Sequence, residues 1–228
     1  MDTICHRGPL RGECVKFDMH LHTDHSERCG WMSPKRLVAI AIEKGLDGFA
    51  VTDHNTINGA LEVCDIVRDE ELGLYVIIGE EITTERGEVL AYFLDKEIDP
   101  GPFEDVLSLI NRAGGVSAIP HPFERVRKGF LNVEEVVGKV DAIEVLNSRC
   151  LFNSKALDFC LEYKKPMVGG SDAHFCREVG RAWTEYPAEP KRCILEGRTR
   201  VGGGLSNPAY LALTKGVKVW RKVTSGSF

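Results

Sequence analysis

The residues best able to do chemistry in this chain are its histidines, and five of the seven stand where metal ligands would. His20 and His22 end the run Phe17-Asp18-Met19-His20-Leu21-His22. Strand side chains two positions apart share a face, so these two imidazoles form a pincer for a transition metal. His54 follows Asp53 after an apolar run, and Glu81 follows Gly79-Glu80 after another. His121 lies between Pro120 and Pro122, and Asp172 and His174 follow Gly169-Gly170-Ser171. Glu27, or Asp24 in its place, adds a carboxylate just after the first pair. Each residue taken singly reads equally well as a strand-end cap, a turn residue or a surface side chain. Five strand ends carrying His or acid are not explained that way. A mixed imidazole and carboxylate set suits Mn, Zn or Fe, whereas oxygen ligands alone would suit Mg. The donors outnumber the needs of one ion, so two or three divalent ions sharing a bridging carboxylate are expected. Ions about 3.5–4 Å apart activate a water and stabilise the leaving oxygen of an in-line displacement. That chemistry favours phosphate ester hydrolysis.

The elements that must position these residues follow from hydrophobic pattern. Apolar runs over 17–20, 48–52, 74–78, 89–94, 116–119, 142–146 and 167–168 read as strands, with a last one over 182–186. Helical spacing falls between them, over 34–44, 56–69, 103–113, 133–137, 154–163, 190–196 and 209–220. Ser33-Pro34 is a helix start, with Ser as N-cap and Pro in the first turn. Wholly apolar strands alternating with helices indicate parallel β/α units. About seven such units suggest a closed α/β barrel, with an open doubly wound sheet as the alternative. The polar residues decide between them. They occupy strand C-terminal ends, which converge on one mouth in a barrel and spread along an edge in an open sheet. The expected layout is a single domain: an irregular lead-in (1–15), a barrel (16–200), and a Gly-rich link at Gly202-Gly203-Gly204 leading into a basic C-terminal helix (201–228).

Bulk composition narrows the class. Hydrophobic residues make up 43% and charged residues 28%, as in ordinary globular domains. No apolar run is long enough to span a bilayer, and the first 15 residues have no signal-peptide core. Eight cysteines without a signal suggest reduced thiols and a cytoplasmic protein, and none form Cys-x-x-Cys. Cys64, Cys150 and Cys160 read as small core residues. A net charge of −5 argues against a general duplex-DNA binder. Residues 191–228 nevertheless carry eight Lys and Arg against one acid, a net +7 that leaves −12 for the rest. A solvated basic helix on an acidic barrel accounts for this; a basic edge that draws phosphate-bearing substrates is the sharper reading.

These motifs resemble those of the polymerase and histidinol phosphatase (PHP) superfamily of metal-dependent phosphoesterases. The resemblance spans about 16–186 and preserves motif order: His20-Leu21-His22-Thr23, Thr52-Asp53-His54, Gly79-Glu80-Glu81, Pro120-His121-Pro122 and Ser171-Asp172-Ala173-His174. It implies a distorted seven-stranded (β/α)7 TIM-like barrel. It also implies ligand groups: His20, His22, Glu81 and Asp172 for one metal; Glu81 and His121 for a second; an acid after the first motif, His54 and His174 for a third. Two positions depart from the family pattern. Glu27 stands where an Asp is usual, and Glu88 stands where a His is usual. A carboxylate at 88 would either make the second site harder, more Mn- or Mg-like, in its metal preference or leave that site weak or empty. The implied function is hydrolysis of a small phosphomonoester, nucleotide or short RNA or DNA by a metal-activated water. His174 or His54 would protonate the leaving oxygen if free of metal. Arg149 and Arg181 are candidates for holding a phosphate bidentately. An amidohydrolase-like metallohydrolase also opens with His-x-His, but it usually needs a bridging Lys where this chain has Glu81 and His121. A non-catalytic metal-binding module is the third reading.

Overall fold

The computed structural model describes residues 14–26, 29–124 and 130–224. Nine strands form one sheet in the order β7-β6-β5-β4-β3-β2-β1-β8-β9. They are β1 (Val15–Leu21), β2 (Gly48–Val51), β3 (Tyr75–Thr83), β4 (Glu88–Tyr92), β5 (Val116–Ile119), β6 (Ala142–Asn147), β7 (Met167–Gly170), β8 (Ala182–Tyr186) and β9 (Arg200–Gly203). The sheet curls until the segment after β7 meets β1. Asp172 N–H donates to His20 O at 2.7 Å, and His22 N–H donates to Ala173 O at 2.9 Å. The result is a nearly closed, distorted TIM-like α/β barrel in a single domain.

Six of the seven barrel strands run parallel; β4 does not. It pairs antiparallel with both β3 and β5. The expected uniform β/α alternation fails here because β3 runs five residues past Ile78. It then turns back through a short hairpin with no intervening helix. Strands β8 and β9 are also antiparallel and extend the sheet beyond β1. Gly202 and Gly203, expected in a link, belong to β9 instead. An added Cβ on Gly202 would meet the Trp183 ring at 2.8 Å, so glycine permits this pairing.

The helices are α1 (Pro34–Glu43), α2 (Asn58–Asp69), α3 (Phe103–Arg112), α4 (Val133–Val136), α5 (Asn153–Glu162), α6 (Pro190–Leu195) and α7 (Ala209–Thr224). Ser33 caps α1 as expected, its side chain accepting from Arg36 N. Two apolar clusters follow the two faces of the sheet. Leu37, Val38, Val63 and Val67 from the helices pack on Phe49, Val76 and Ile143. Phe17, Met19, Ile77, Tyr92, Ala118 and Val168 form the second cluster.

A bulge sets the first motif. The register of β1 against β2 slips between Asp18 and Leu21, while Phe17 pairs Gly48 and Leu21 pairs Val51. Below the slip Phe17 and Met19 join the inner cluster; above it Leu21 joins the helix-side cluster. The extra residue thus turns His20 and His22 to the inside, the re-aiming that bulges commonly perform. A second slip, in β6 between Glu144 and Leu146, does the same for Asn147.

Six described cysteines are free thiols, but Cys64, buried on α2, is disulfide-bonded. That corrects the expectation of eight reduced thiols. Among the described residues, no helix is long and apolar enough to cross a membrane.

Candidate metal centre

Seven of the predicted ligands meet at the barrel mouth, gathered around one carboxylate. Glu81 Oε2 has His54 Nδ1 at 3.1 Å, His22 Nε2 at 3.3 Å and His20 Nε2 at 3.4 Å. Its other oxygen faces His121 Nε2 at 3.3 Å. Asp172 Oδ1 lies 3.4 Å from His22 Nε2 and 3.5 Å from His174 Nδ1. Glu88, at the start of β4, reaches within 3.4 Å of His54 Nδ1. The side chain that replaces the family histidine is therefore in the cluster.

Backbone conformation puts these groups at the strand ends. Alternation along β3 sends Glu81 to the same side as Tyr75 and Ile77 and leaves Glu80 on the other side. There Glu80 accepts from Ile98 N at 3.1 Å. His54 bridges to Glu81 beside it, and Glu81 N–H donates to Asp53 O at 3.0 Å. His121 and Asp172 adopt φ of 29° and 55°. The left-handed region is costly for side-chain-bearing residues and persists where surrounding contacts hold it, typically at functional sites.

Three donor triads lie close enough for one cation each: His20, His22 and Asp172; His22, His54 and His174; His54, Glu81 and Glu88. The fit to divalent metal is chemical as well as spatial. His20 Nε2 and His22 Nε2 stand 3.1 Å apart, close enough for one cation to be held by both. Glu81 Oε1 and both ring nitrogens of His121 are buried and make no hydrogen bond. Buried polar atoms are almost always satisfied, so orphans that converge point to a cation. Burial holds the His22 imidazole down to about 3. Burial also opposes charge on His54, but Glu81, Cys29 and Glu88 outweigh it and push His54 up to about 10. Burial would raise Glu81, yet the surrounding histidines hold it well below the ordinary carboxylate range. The protons balancing this cluster are those that metal binding would displace.

The supporting residues were not among those expected from sequence. Glu144 accepts from His20 Nδ1 at 2.9 Å and from His121 N at 2.8 Å. It therefore fixes the tautomer that turns His20 Nε2 toward the cluster. Asn147 donates to Glu144 at 3.0 Å and to Asp172 at 3.2 Å. Asp53 accepts from Thr23 N and Ser26 Oγ at 2.7 and 2.6 Å, and Ser26 Oγ lies 3.1 Å from His22 Nδ1. A signal for Glu144 was available: it is one acid inside the apolar stretch Ala142-Ile143-Glu144-Val145-Leu146.

The remaining predictions fare differently. Glu27 lies outside the described residues. Asp24 is exposed and lines an outer cavity that also touches His54 and Glu88. Arg149 does reach the site, but as a buried strut rather than an open cation. It contacts His174 Nδ1 at 2.6 Å, Glu178 Oε1 at 3.2 Å, Tyr210 O at 3.1 Å and Thr214 Oγ1 at 2.5 Å. Arg181 is exposed in the turn before β8 and does not line either cavity beside the cluster.

A cavity of about 1110 Å³ opens over His54, Glu88 and His174. Phe123, Phe130 and Leu211 supply its apolar walls, and Arg86, Lys155, Lys215 and Lys218 its basic ones.

Comparison with known proteins agrees with this geometry. Residues 18–164 match the PHP domain, and residues 151–196 match the PHP-associated family. The protein MJ0417 of Methanocaldococcus jannaschii is 33% identical over 183 residues, 75% of this chain and 70% of that one. A 5'-3' exoribonuclease of Haemophilus influenzae is 38% identical over 69 residues, 30% of this chain and 24% of that one. A two-domain Bacteroides vulgatus protein described as containing a predicted PHP-like metal-dependent phosphoesterase superposes with TM-score 0.69 at 21% identity. The alignment covers 84% of this chain and 65% of that one. The PHP domain match takes in more than half of the chain and the strand ends that carry His20, His22, His54, Glu81 and His121, and the chain belongs to the PHP domain family.

Proposed function

We propose that this chain is a metal-dependent phosphoesterase that hydrolyses a small phosphomonoester, a nucleotide or a short oligonucleotide. The observation that carries the reading is the set of four imidazoles converging on the Glu81 carboxylate, with Glu81 Oε1 and His121 Nε2 left unsatisfied. His20, His22, Glu81 and Asp172 would hold one divalent ion; Glu81, His121 and Glu88 a second; His54 and His174, with His22 at hand, a third. Such ions supply an acidified water and neutralise phosphoryl oxygens during displacement.

The chain's own groups do the rest. Glu144 keeps His20 and the His121 backbone in place, and Asp53 acts on His22 through Ser26. His54 is half-buried at the cavity mouth and, where it holds no ion, could pass a proton to the leaving oxygen. His174 is buried and engaged at Nδ1 by Arg149 and by Asp172 O, which makes it the poorer proton donor. The cavity size suits a ligand as large as a nucleotide. The likeness to an exoribonuclease supports that substrate class.

The test is elemental analysis of purified protein alongside phosphate release from p-nitrophenyl phosphate, for wild type and His20→Ala. Two or more Mn, Zn or Fe per chain with turnover lost in the variant would support the reading. Less than one ion per chain, and no release with any added divalent metal, would refute it.

A further inference from the structure

We infer that α7 carries a second phosphate subsite, formed by Lys215 and Lys218, so that the preferred substrate bears a phosphate besides the one cleaved. This deepens the phosphoesterase reading and rests on it.

Arg149 touches the metal cluster directly, through the His174 ring. Its guanidinium is fully committed to Glu178, Tyr210 O, Thr214 and the His174 ring. It cannot also fork onto a phosphate. What it does is pin α7 across the barrel mouth. Ser206 N–H donates to Ser148 O at 2.7 Å, and Arg221 donates to Ser26 O at 3.2 Å, so the segment is anchored on both sides of the cluster. Leu211, Thr214, Lys215 and Lys218 all line the cavity. Their spacing of three, four and seven is one face of a helix. The face that Arg149 holds down is thus the face that presents two lysines to the cavity.

The other charges around this cavity are already engaged, buried Glu124 among them. Arg86 pairs with Glu135, and Lys155 stacks 4.1 Å over the Phe123 ring. Glu85 accepts from Phe103 N, and Glu88 belongs to the metal cluster. Among the described residues neither Lys215 nor Lys218 forms an ion pair, and both are exposed. Two cations three residues apart on a helix repel each other. A bound dianion relieves that repulsion. The same lysine-bearing end of α7 reaches the second cavity over His54, since Lys218 lines both. The scissile phosphate would lie on the metals and the other on α7, with the organic part of the substrate against Phe123 and Phe130 between them. A terminal phosphate and an internucleotide phosphate would both satisfy the subsite.

The test compares p-nitrophenyl phosphate, a nucleoside 3',5'-bisphosphate and a 5'-phosphorylated dinucleotide, using wild type, Lys215→Ala/Lys218→Ala and Lys215→Arg/Lys218→Arg. Losing charge-assisted contacts should lower the ratio of kcat/KM for the doubly phosphorylated substrates over p-nitrophenyl phosphate by about tenfold or more. The loss should fall on KM, and the arginine pair should restore it. Loss with the bisphosphate alone assigns a terminal phosphate; loss with both assigns a site that also accepts a diester. An unchanged ratio would overturn the inference. So would a loss that the arginine pair does not restore. Equilibrium binding of the bisphosphate and of the matching monophosphate is measured in parallel by calorimetry. If wild type turns over nothing, the phosphoesterase reading fails. The subsite is then judged by whether the alanine pair abolishes any preference for the bisphosphate in binding.

Discussion

Removing Arg149 should destabilise the barrel far more than removing an exposed arginine, and should do so through Glu178. The Arg149 side chain is 1% exposed and that of Glu178 0%, with Nε and Oε1 3.2 Å apart. Arg149→Met keeps an apolar stem of similar reach but leaves the Glu178 carboxylate buried without its cation. Burial already raises Glu178 to about 7, and the loss of Arg149 raises it further. The comparison is therefore made well above pH 7, where breaking a buried pair this way costs about 3–5 kcal/mol. In a domain of this size each kcal/mol moves Tm by about 2–4 °C, so the expected fall is roughly 6–20 °C. Glu178→Gln in the same chain removes the stranded charge while its amide oxygen still accepts from His174 N and Phe175 N. The double variant should therefore be more stable than Arg149→Met alone, with a coupling of at least about 1.5 kcal/mol. Thermal unfolding at fixed Mn concentration measures all three proteins. Hydrogen exchange in α7 supplies a second readout, because Arg149 also holds Tyr210 O and Thr214. A fall of under about 3 °C, or strictly additive effects, would refute the assignment of Arg149 as a strut.

Four further outcomes are expected. Glu144→Gln should weaken Mn binding about 10–100-fold by isothermal titration, because either amide orientation sets an NH2 against a buried N–H donor; unchanged affinity would remove Glu144 from its positioning role. Chelation should lower Tm: ion at a hundred times its Kd contributes about 2.7 kcal/mol, or roughly 5–11 °C here, and an unshifted melt would argue that nothing binds. Gly170→Ala should open the seam between β7 and β1, since the new Cβ would sit 2.4 Å from His20 N and 2.5 Å from His20 Cβ. Overpacking there costs about 1–3 kcal/mol or more, and a variant with wild-type Tm and metal content would contradict it. Maleimide should label Cys14 quickly in the native protein but reach Cys29, Cys150, Cys160 and Cys193 only on unfolding. Burial pushes the Cys160 thiol up to about 11, so raising pH to 9 should not expose it; rapid labelling there would show a looser α5.

Much of the cluster was legible in the chain because ligands occur as short local patterns. His20-x-His22 shares a face by strand geometry alone, and apolar runs ending in His or acid mark strand C-termini. Glu81 was separated from Glu80 only by the resemblance of Gly79-Glu80-Glu81 to the family motif. The strand and helix order was legible in local patterns too, from Ser33-Pro34 at the start of α1 to the periodic stretch that became α7. What the sequence could not show depends on partners far away in the chain. The reversal of β4 follows from β3 running on past the point where its apolar pattern ends. The bulge in β1, which alone brings His20 and His22 inward, exists only as register against β2. Arg149 read as a phosphate clamp because its type suits that role; 25 to 65 residues away, His174, Glu178, Tyr210 and Thr214 had claimed its donors. Glu144 looked like a charge in an apolar strand until His20, 124 residues earlier, was found against it. The chain alone determined which atoms could bind metal, since that is a property of residue type and local period. Tertiary structure decided which carboxylate they share and what holds each ring, because those depend on contacts between segments distant in sequence.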